Sequence, residues 1–233
     1  MDQSIGKVLD TLDAEGLADN TIVLFFSDNG GAVYAIGGAD NAPLRGGKGD
    51  TFEGGIRVVA TVRWPEQIPP GSRVDSIMSV MDVLPTLAAA AGIEPSTHNR
   101  LDGRNMVAAL TEAEAIPRED LLFFIAESPF KNTVNVTAFN DEWKLVQRIE
   151  TGFTSVDVTN FLFNIAEDPY EYQNLAQVHP DVAADLASEI RHWRNLYPVA
   201  GTRSELMPPP GWRAPVDWAD YPQQDSDLQP ESS

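Results

Sequence analysis

The stretch TIVLFFSDNGG occupies residues 21–31 and joins a continuous apolar run to an Asp-Asn-Gly-Gly turn. A short apolar run of this kind is typical of a strand in a parallel sheet that is covered on both faces. Ligands of open α/β sheets collect beyond the carboxyl ends of such strands. We therefore expect Asp28 and Asn29, which directly follow the run, to lie at the edge of a ligand site.

A glycine-rich segment follows this turn, with nine glycines between residues 30 and 55. This density is too high for regular secondary structure and predicts a long ordered loop that wraps a site. Arg45, Lys48 and Arg57 fall within a span of thirteen residues. In a chain of net charge −19 they form a local positive cluster, and we expect them to contact an anionic group of the substrate.

The composition narrows the classes of partner. A net charge of −19 argues against nucleic acid and against an anionic membrane, because the protein's own field would repel both. The absence of cysteine excludes disulfides, thiolate metal sites and a cysteine nucleophile within this sequence. The first residues form neither a basic leader nor an apolar signal segment, which predicts a cytoplasmic location for the sequence as given.

The remaining pattern predicts a mixture of helices and strands. Apolar residues at helical spacing predict an amphipathic first helix between Asp2 and Gly16. Asp82 is expected to cap a helix that continues to Ala91. Strands are predicted over residues 56–64 and 121–126, followed by shorter antiparallel strands over 134–140, 143–149 and 161–164 and by a helix whose apolar face carries Val182, Leu186, Ile190 and Trp193.

The change from a buried-strand pattern to short antiparallel strands indicates a boundary near residue 118. We expect an α/β fold with a partial core over residues 1–117 and an α+β subdomain over residues 118–207. The last residues, 208–233, are rich in Pro, Asp, Gln and Ser and predict an irregular acidic tail.

Several short motifs follow one another along the chain. They are Asn20-Thr21 before the first strand, Glu53–Val58, Arg63-Trp64-Pro65, Met81–Thr86, Leu101-Asp102-Gly103, Trp143-Lys144-Leu145 and Asp168–Leu175. As a set, over roughly residues 2–196, they resemble the C-terminal half of the formylglycine-dependent (type I) sulfatases, the arylsulfatase group of the alkaline-phosphatase-like superfamily. The resemblance implies a truncated alkaline-phosphatase-like sheet followed by a small C-terminal portion with an antiparallel sheet and a helix.

The resemblance also implies roles for three residues. Asp28 and Asn29 match the strand-end pair that binds calcium in this family, and Lys48 matches the lysine that contacts the sulfate. The family makes its formylglycine nucleophile in a Cys/Ser-x-Pro-x-Arg segment far upstream of this strand end, and that segment and the family's aspartate pair have no counterpart here. We therefore expect weak or absent calcium binding, no formylglycine, and no sulfate-ester hydrolysis by this chain alone.

A second interpretation is a truncated sulfatase scaffold that performs another hydrolysis on a small anionic substrate, such as cleavage of a glucuronide. Two carboxylates at a suitable separation can act as acid and base or nucleophile on a glycoside. Glu53, Asp50 and Asp82 are the candidates. The plainer interpretation of each is structural, as a helix cap for Asp82 and as loop hydrogen bonds for the other two.

A third interpretation is a non-catalytic fragment that needs a separate N-terminal half. Without the strands of that half, the strand over residues 21–27 would expose an apolar face and an unpaired edge. Self-association would also cover this edge. We therefore expect a homo-oligomer, most simply a two-fold dimer through the exposed part of the sheet.

Overall fold

Two antiparallel sheets carry the fold in the computed structural model, which describes residues 1–35, 38–93, 101–128, 133–152 and 154–196. The tail predicted over residues 208–233 lies outside the described residues. No helix among the described residues is long and apolar enough to cross a membrane. The elements are, in chain order, α1 (Asp2–Ala14), β1 (Val23–Phe26), α2 (Glu53–Ile56), β2 (Ala60–Arg63), a 3₁₀ turn (Val80–Asp82), α3 (Val83–Ala90), α4 (Val107–Glu112), β3 (Leu122–Ser128), β4 (Thr133–Phe139), β5 (Trp143–Thr151), β6 (Val156–Asn164) and α5 (Pro180–Asn195).

The first strand is confirmed, but its predicted parallel pairing is wrong. β1 pairs antiparallel with β2, with Val23 opposite Arg63 and Phe26 opposite Ala60. Phe25 and Phe26 remain 38% and 41% exposed. A continuous apolar run indicates that a strand is meant to be covered, but it lacks the alternation that would distinguish the two pairing directions. The dimer expected to cover this region stays a prediction.

The helices of the first part differ from the predictions at their ends. The predicted first helix is confirmed as α1, and Gly16 follows it with a φ of 67°, in the left-handed region that glycine adopts readily. The second strand begins at Ala60 rather than near residue 56, because Ile56 is the last residue of α2. The sequence did not predict α4, which has no side-chain cap at its start.

The four-stranded sheet confirms the predicted C-terminal architecture. Its strands lie in the order β3-β4-β5-β6, and every neighbouring pair is antiparallel. The helix predicted from apolar residues at a spacing of three to four is α5, which begins with Pro180 and has Asp181 in its first turn. Its buried face packs on the sheet in a core that contains Val136, Leu145, Leu162, Ala183, Leu186, Ala187 and Ile190.

The opposite face of this sheet holds the glycine-rich loop. Side chains alternate between the two faces of a strand, so Leu145 contributes to the core with α5 while its neighbour Val146 points the other way. Val146 and Phe163 form a second cluster with Phe52, which precedes α2. The Phe52 ring meets the Phe163 ring edge-on at a centroid distance of 6.1 Å. The four-stranded sheet is thus covered by α5 on one face and by the end of the loop on the other.

Replacement of Ile190 by Ala tests the core between α5 and the sheet. Ile190 is only 1% exposed, and removal of its side chain leaves a cavity in a packed interior. We expect Ile190→Ala to lower the free energy of unfolding by about 2–5 kcal/mol in urea titrations. The exposed neighbour Glu189 provides the control, because Glu189→Ala is expected to change this value by about 0.5 kcal/mol or less. Equal losses in the two variants would contradict the assigned packing of α5.

Candidate anion-binding site

Backbone hydrogen bonds fold the glycine-rich loop back onto the end of β1. The Gly30 amide donates to the Gly55 carbonyl at 2.9 Å, and the Lys48 amide donates to the Gly31 carbonyl at 3.0 Å. These bonds bring the loop segment that carries Lys48 next to the residues that directly follow Asn29. The backbone of Lys48 therefore contacts Gly31, two residues after Asn29.

A single amide side chain clamps this loop. Asn41 accepts a hydrogen bond from the Gly31 amide at 2.9 Å and donates to the carbonyls of Gly31 and Gly46 at 3.0 and 3.1 Å. Its carboxamide therefore satisfies the hydrogen-bonding needs of backbone groups in two segments of the loop, at Gly31 and at Gly46. Sequence reasoning missed Asn41, and its position inside the glycine-rich segment was the only signal available.

Close backbone approach explains why glycine stands at position 54. A Cβ atom there would lie 2.5 Å from the Gly46 carbonyl oxygen and 2.6 Å from the Arg45 carbonyl oxygen. Real Cβ atoms do not approach backbone oxygen so closely, and neither oxygen can move without breaking the loop. The Gly54 amide in turn donates to the Arg45 carbonyl at 2.6 Å. Glycine is thus required for the loop to pack against α2.

The strand-end pair and Lys48 lie at the surface of the molecule. Asp28 and Lys48 are exposed, and Asn29 is half-buried. Calcium takes six to eight oxygen ligands in proteins, and the described residues contain no group of three or more acidic or histidine side chains arranged to hold a metal ion. Asp28 and Asn29 would supply two of these ligands.

Arg45 is directed toward the four-stranded sheet. Its guanidinium lies 4.2 Å from the centre of the Phe52 ring and 5.3 Å from the centre of the Phe161 ring, and it donates to the Glu171 carbonyl at 3.2 Å. Such contacts hold a cation over aromatic faces and stabilise the packing of the loop. Arg57 is more exposed, and its guanidinium lies 3.6 Å from the Glu53 carboxylate, one helical turn away.

Glu53 belongs to a buried ion cluster. Its carboxylate accepts from the Lys144 ammonium at 2.7 Å, and the same ammonium lies 2.9 Å from the Glu171 carboxylate. The second oxygen of Glu171 accepts the Glu53 backbone amide at 2.8 Å. All three residues are buried, with Lys144 fully enclosed. Two carboxylates and one ammonium leave the cluster with one negative charge in excess when all three are ionised.

The other two candidate carboxylates also have structural partners. Asp50 accepts hydrogen bonds from the Thr51 amide at 2.8 Å and from the Asn135 side chain of β4 at 3.1 Å. Asp82 is fully buried and accepts from the backbone amides of Ser79 and Arg104 at 2.7 and 2.8 Å.

Asp82 also differs from its predicted role in α3. Its carboxylate forms a buried ion pair with Arg118 and closes a capping box on the 3₁₀ turn together with Ser79. The predicted side-chain cap of α3 is absent, because the Asp82 oxygens are already bound to these groups.

Lys144 and Glu171, like Asn41, are residues to which sequence reasoning assigned no role. They belong to the Trp-Lys-Leu and Asp-Pro-Tyr-Glu-Tyr motifs of the C-terminal part, which carried the resemblance but no proposed role. Their partner Glu53 precedes them by more than 90 residues, so no local pattern connects them.

Burial raises the pKa of the Glu171 carboxyl above its usual value, the neighbouring Glu53 charge adds to that rise, and the Lys144 ammonium opposes it.

Two family descriptions match the chain. The family Sulfatase matches residues 1–93, and the family N-sulphoglucosamine sulphohydrolase, C-terminal, matches residues 48–195. The fold belongs to the alkaline-phosphatase-like class of its structural relatives. Because the second match covers more than half of the 233 residues, the chain belongs to the sulfatase family. The resemblance inferred from the ordered motifs is confirmed.

Individual relatives match this chain over part of their own length. Steryl-sulfatase of Rattus norvegicus is 47% identical over 116 residues, which are 47% of this chain and 20% of that protein. A sulfatase of Formosa agariphila is 31% identical over 218 residues, which are 83% of this chain and 38% of that protein. The crystal structure of Ps i-CgsB, also solved in complex with k-i-k-neocarrahexaose, superposes with a TM-score of 0.69 at 31% identity and covers 82% of this chain and 40% of that one. The chain thus spans about a fifth to two fifths of the length of these relatives.

The raised pKa of Glu171 predicts a pH dependence of stability. The folded chain holds the Glu171 proton to a higher pH than the unfolded chain, whose carboxyl titrates near 4.5. The folded state therefore binds more protons than the unfolded state above this pH, and the contribution of Glu171 to stability falls as the pH rises through the window up to the raised pKa. We expect the free energy of unfolding of the parent protein, minus that of Glu171→Gln, to decrease over this window in urea titrations at a series of pH values.

The exposed Glu167 supplies the matched control for this measurement. Glu167→Gln removes one negative charge a few residues away without touching the buried cluster, so it corrects for the change in net charge. A difference between the parent protein and Glu171→Gln that rises with pH would contradict the prediction.

Proposed function

We propose that the loop at the end of β1 binds the sulfate group of a sulfate ester, with Lys48 as its main cationic contact. The contrast among the three loop cations carries the proposal. Arg45 lies over Phe52, and Arg57 lies 3.6 Å from the Glu53 carboxylate. Lys48 is exposed beside the strand end. Of these three cations, Lys48 is the one whose charge is best placed to meet a ligand from solution.

The charge of the whole molecule makes this local cation important. At a net charge of −19 the surface repels anions in general, so an anionic substrate binds only where positive charge and hydrogen-bond donors are concentrated. A lysine ammonium forms charge-assisted hydrogen bonds with the oxygens of an anion such as sulfate. These bonds are about twice as strong as hydrogen bonds between neutral groups. Asn29, half-buried at the same strand end, has an amide group that can donate a further hydrogen bond.

Ester cleavage requires a nucleophile in addition to this contact. The chain has no cysteine, and the carboxylates of Glu53, Asp50 and Asp82 are bound to neighbouring cations or amides. We therefore assign to Lys48 and Asn29 only the binding of sulfate in a sulfatase reaction. In this proposal the nucleophile comes from the portion of the sulfatase fold that lies outside the matched residues.

Glycoside cleavage receives less support from the same contacts. A general acid or nucleophile must reach the scissile bond with a free carboxyl oxygen. Glu53 is 6% exposed and Asp82 is fully buried, and both are paired with a buried cation. These contacts favour structural roles for the two carboxylates.

The proposal extends to the sulfate ester and not to one particular alcohol. Among the similar proteins, one name denotes a steryl-sulfatase, whereas Ps i-CgsB has been crystallised with k-i-k-neocarrahexaose. Sterol and neocarrahexaose share no recognition chemistry. The names of the relatives that are called sulfatases agree only on the sulfate group. We therefore propose recognition of that group, and of no particular alcohol, for this chain.

Replacement of Lys48 by Ala tests the proposal with inorganic sulfate as the probe. The titration follows the backbone amide resonances of residues 46–49 in the purified chain. Since a hydrogen bond to a charged group contributes about 1.5–3 kcal/mol, we expect Lys48→Ala to raise the dissociation constant for sulfate by about tenfold or more.

The exposed lysine of α1 provides the control, because Lys7→Ala removes the same charge away from the loop. Lys7→Ala is expected to leave the dissociation constant within about a factor of two, since screening weakens distant surface charges. Equal effects of the two substitutions would mean that sulfate responds only to net charge, and the proposed site would be wrong.

A further inference from the structure

The buried cluster of Lys144, Glu53 and Glu171 connects the C-terminal sheet to the loop that carries Lys48. Lys144 projects from β5 on the sheet face that Phe52 covers, and Glu171 lies in the turn region between β6 and α5. Glu53 is the first residue of α2, directly after the loop. The cluster is therefore a contact between residues that are far apart in sequence, with Glu53 on the loop side of the boundary and Lys144 and Glu171 on the sheet side.

Glu171 holds the loop segment at both ends. Its carboxylate accepts the backbone amide of Glu53 at 2.8 Å, and its backbone carbonyl accepts from the Arg45 guanidinium at 3.2 Å. The segment between these two contacts, residues 45–53, contains Lys48. One residue of the C-terminal part thus fixes the entry and the exit of the segment that bears the proposed sulfate contact.

The backbone of Glu171 is itself held in an unusual conformation. Its φ is 60°, in the left-handed region that residues other than glycine rarely adopt. Strained backbone persists only where surrounding contacts determine it, and such positions cluster at functional sites. At this position the glutamate side chain cannot be replaced by the more permissive glycine without loss of both the Lys144 ion pair and the Glu53 amide contact.

Stability alone is a weak reason for burying these charges. Desolvation of a buried ion pair offsets much of its attraction, and well-packed apolar residues often replace such a pair without loss. What the ion cluster adds over an apolar contact is specificity, because the buried ammonium must keep carboxylate oxygens within hydrogen-bond distance or remain unpaired. The contacts of the cluster therefore define where the segment over residues 45–53 sits on the sheet.

We propose that Lys144 and Glu171 are positioning residues that hold the loop over residues 45–53 in its sulfate-binding arrangement. This inference rests on the proposed function of Lys48. Neither residue touches the ligand. Through their contacts with Glu53 and Arg45 they determine the position of the Lys48 ammonium. A small displacement of a binding group strongly weakens its interaction with the ligand.

The test compares sulfate affinity in Lys144→Met and Glu171→Gln with that in Arg118→Met, using the same amide titration. Arg118 is the matched control, because it is also buried and paired with a carboxylate, and its side-chain contacts lie with Ile77, Asp82 and Asp120. We expect Lys144→Met and Glu171→Gln to raise the dissociation constant about tenfold, and Arg118→Met to leave it within about a factor of two at a comparable loss of stability. Glu171→Gln keeps the shape of the side chain and serves as the milder variant if Lys144→Met does not fold.

A double-mutant cycle separates positioning from general loosening of the fold. If Lys144 acts through Lys48, Lys144→Met has little further effect on sulfate affinity once Lys48 is Ala. Additive effects in the cycle, or equal affinities of Lys144→Met, Glu171→Gln and Arg118→Met, would overturn the inference. The proposed function fails independently, when Lys48→Ala alone binds sulfate as well as Lys7→Ala.

Discussion

The fold depends on one buried ammonium group placed between two carboxylates. Lys144 is fully enclosed and would be costly to bury alone, since an unpaired charge loses its hydration without compensation. Glu53 and Glu171 approach it from opposite sides of the boundary between loop and sheet. The packing of Phe52, the stacking of Arg45 and the closure of the loop on Gly54 all occur around this contact. Polar and apolar contacts therefore fix the same arrangement of the glycine-rich loop.

Sequence patterns predicted the C-terminal sheet and α5 well, because each has its own periodicity. Val182, Leu186 and Ile190 recur at helical spacing, and short apolar runs separated by turn residues give β4, β5 and β6. The same approach failed for the direction of β1. An apolar run without alternation carries no information on its neighbour, and the only strand that pairs with β1 among the described residues is β2.

The turn and loop around the candidate site were easier to predict than the partners of its charged side chains. The loop that carries Lys48 bonds to Gly31 just beyond Asn29, and the turn and glycines that form this contact are local features of the sequence. Glu53 and Arg45, in contrast, were assigned to chemistry. Their partners in β5, in β6 and in the turn region before α5 follow far later in the sequence. A single sequence shows which residues can ionise, but it does not show which of them will meet in the interior.

The two covered faces of the four-stranded sheet also fix the alignment of its strands. Lys144 lies opposite Phe163 and Leu145 lies opposite Leu162, on alternate faces of the sheet. A slip of β5 by one residue would turn Lys144 toward the apolar face of α5 and bring Leu145 against the carboxylates of Glu53 and Glu171. Both faces would then oppose the slipped arrangement, one by burying an unpaired ammonium and the other by removing the Lys144 cation from the Glu53 and Glu171 carboxylates. The ion cluster thus helps to specify the register of the sheet, because the observed register places Lys144 on the loop side and Leu145 on the α5 side of β5.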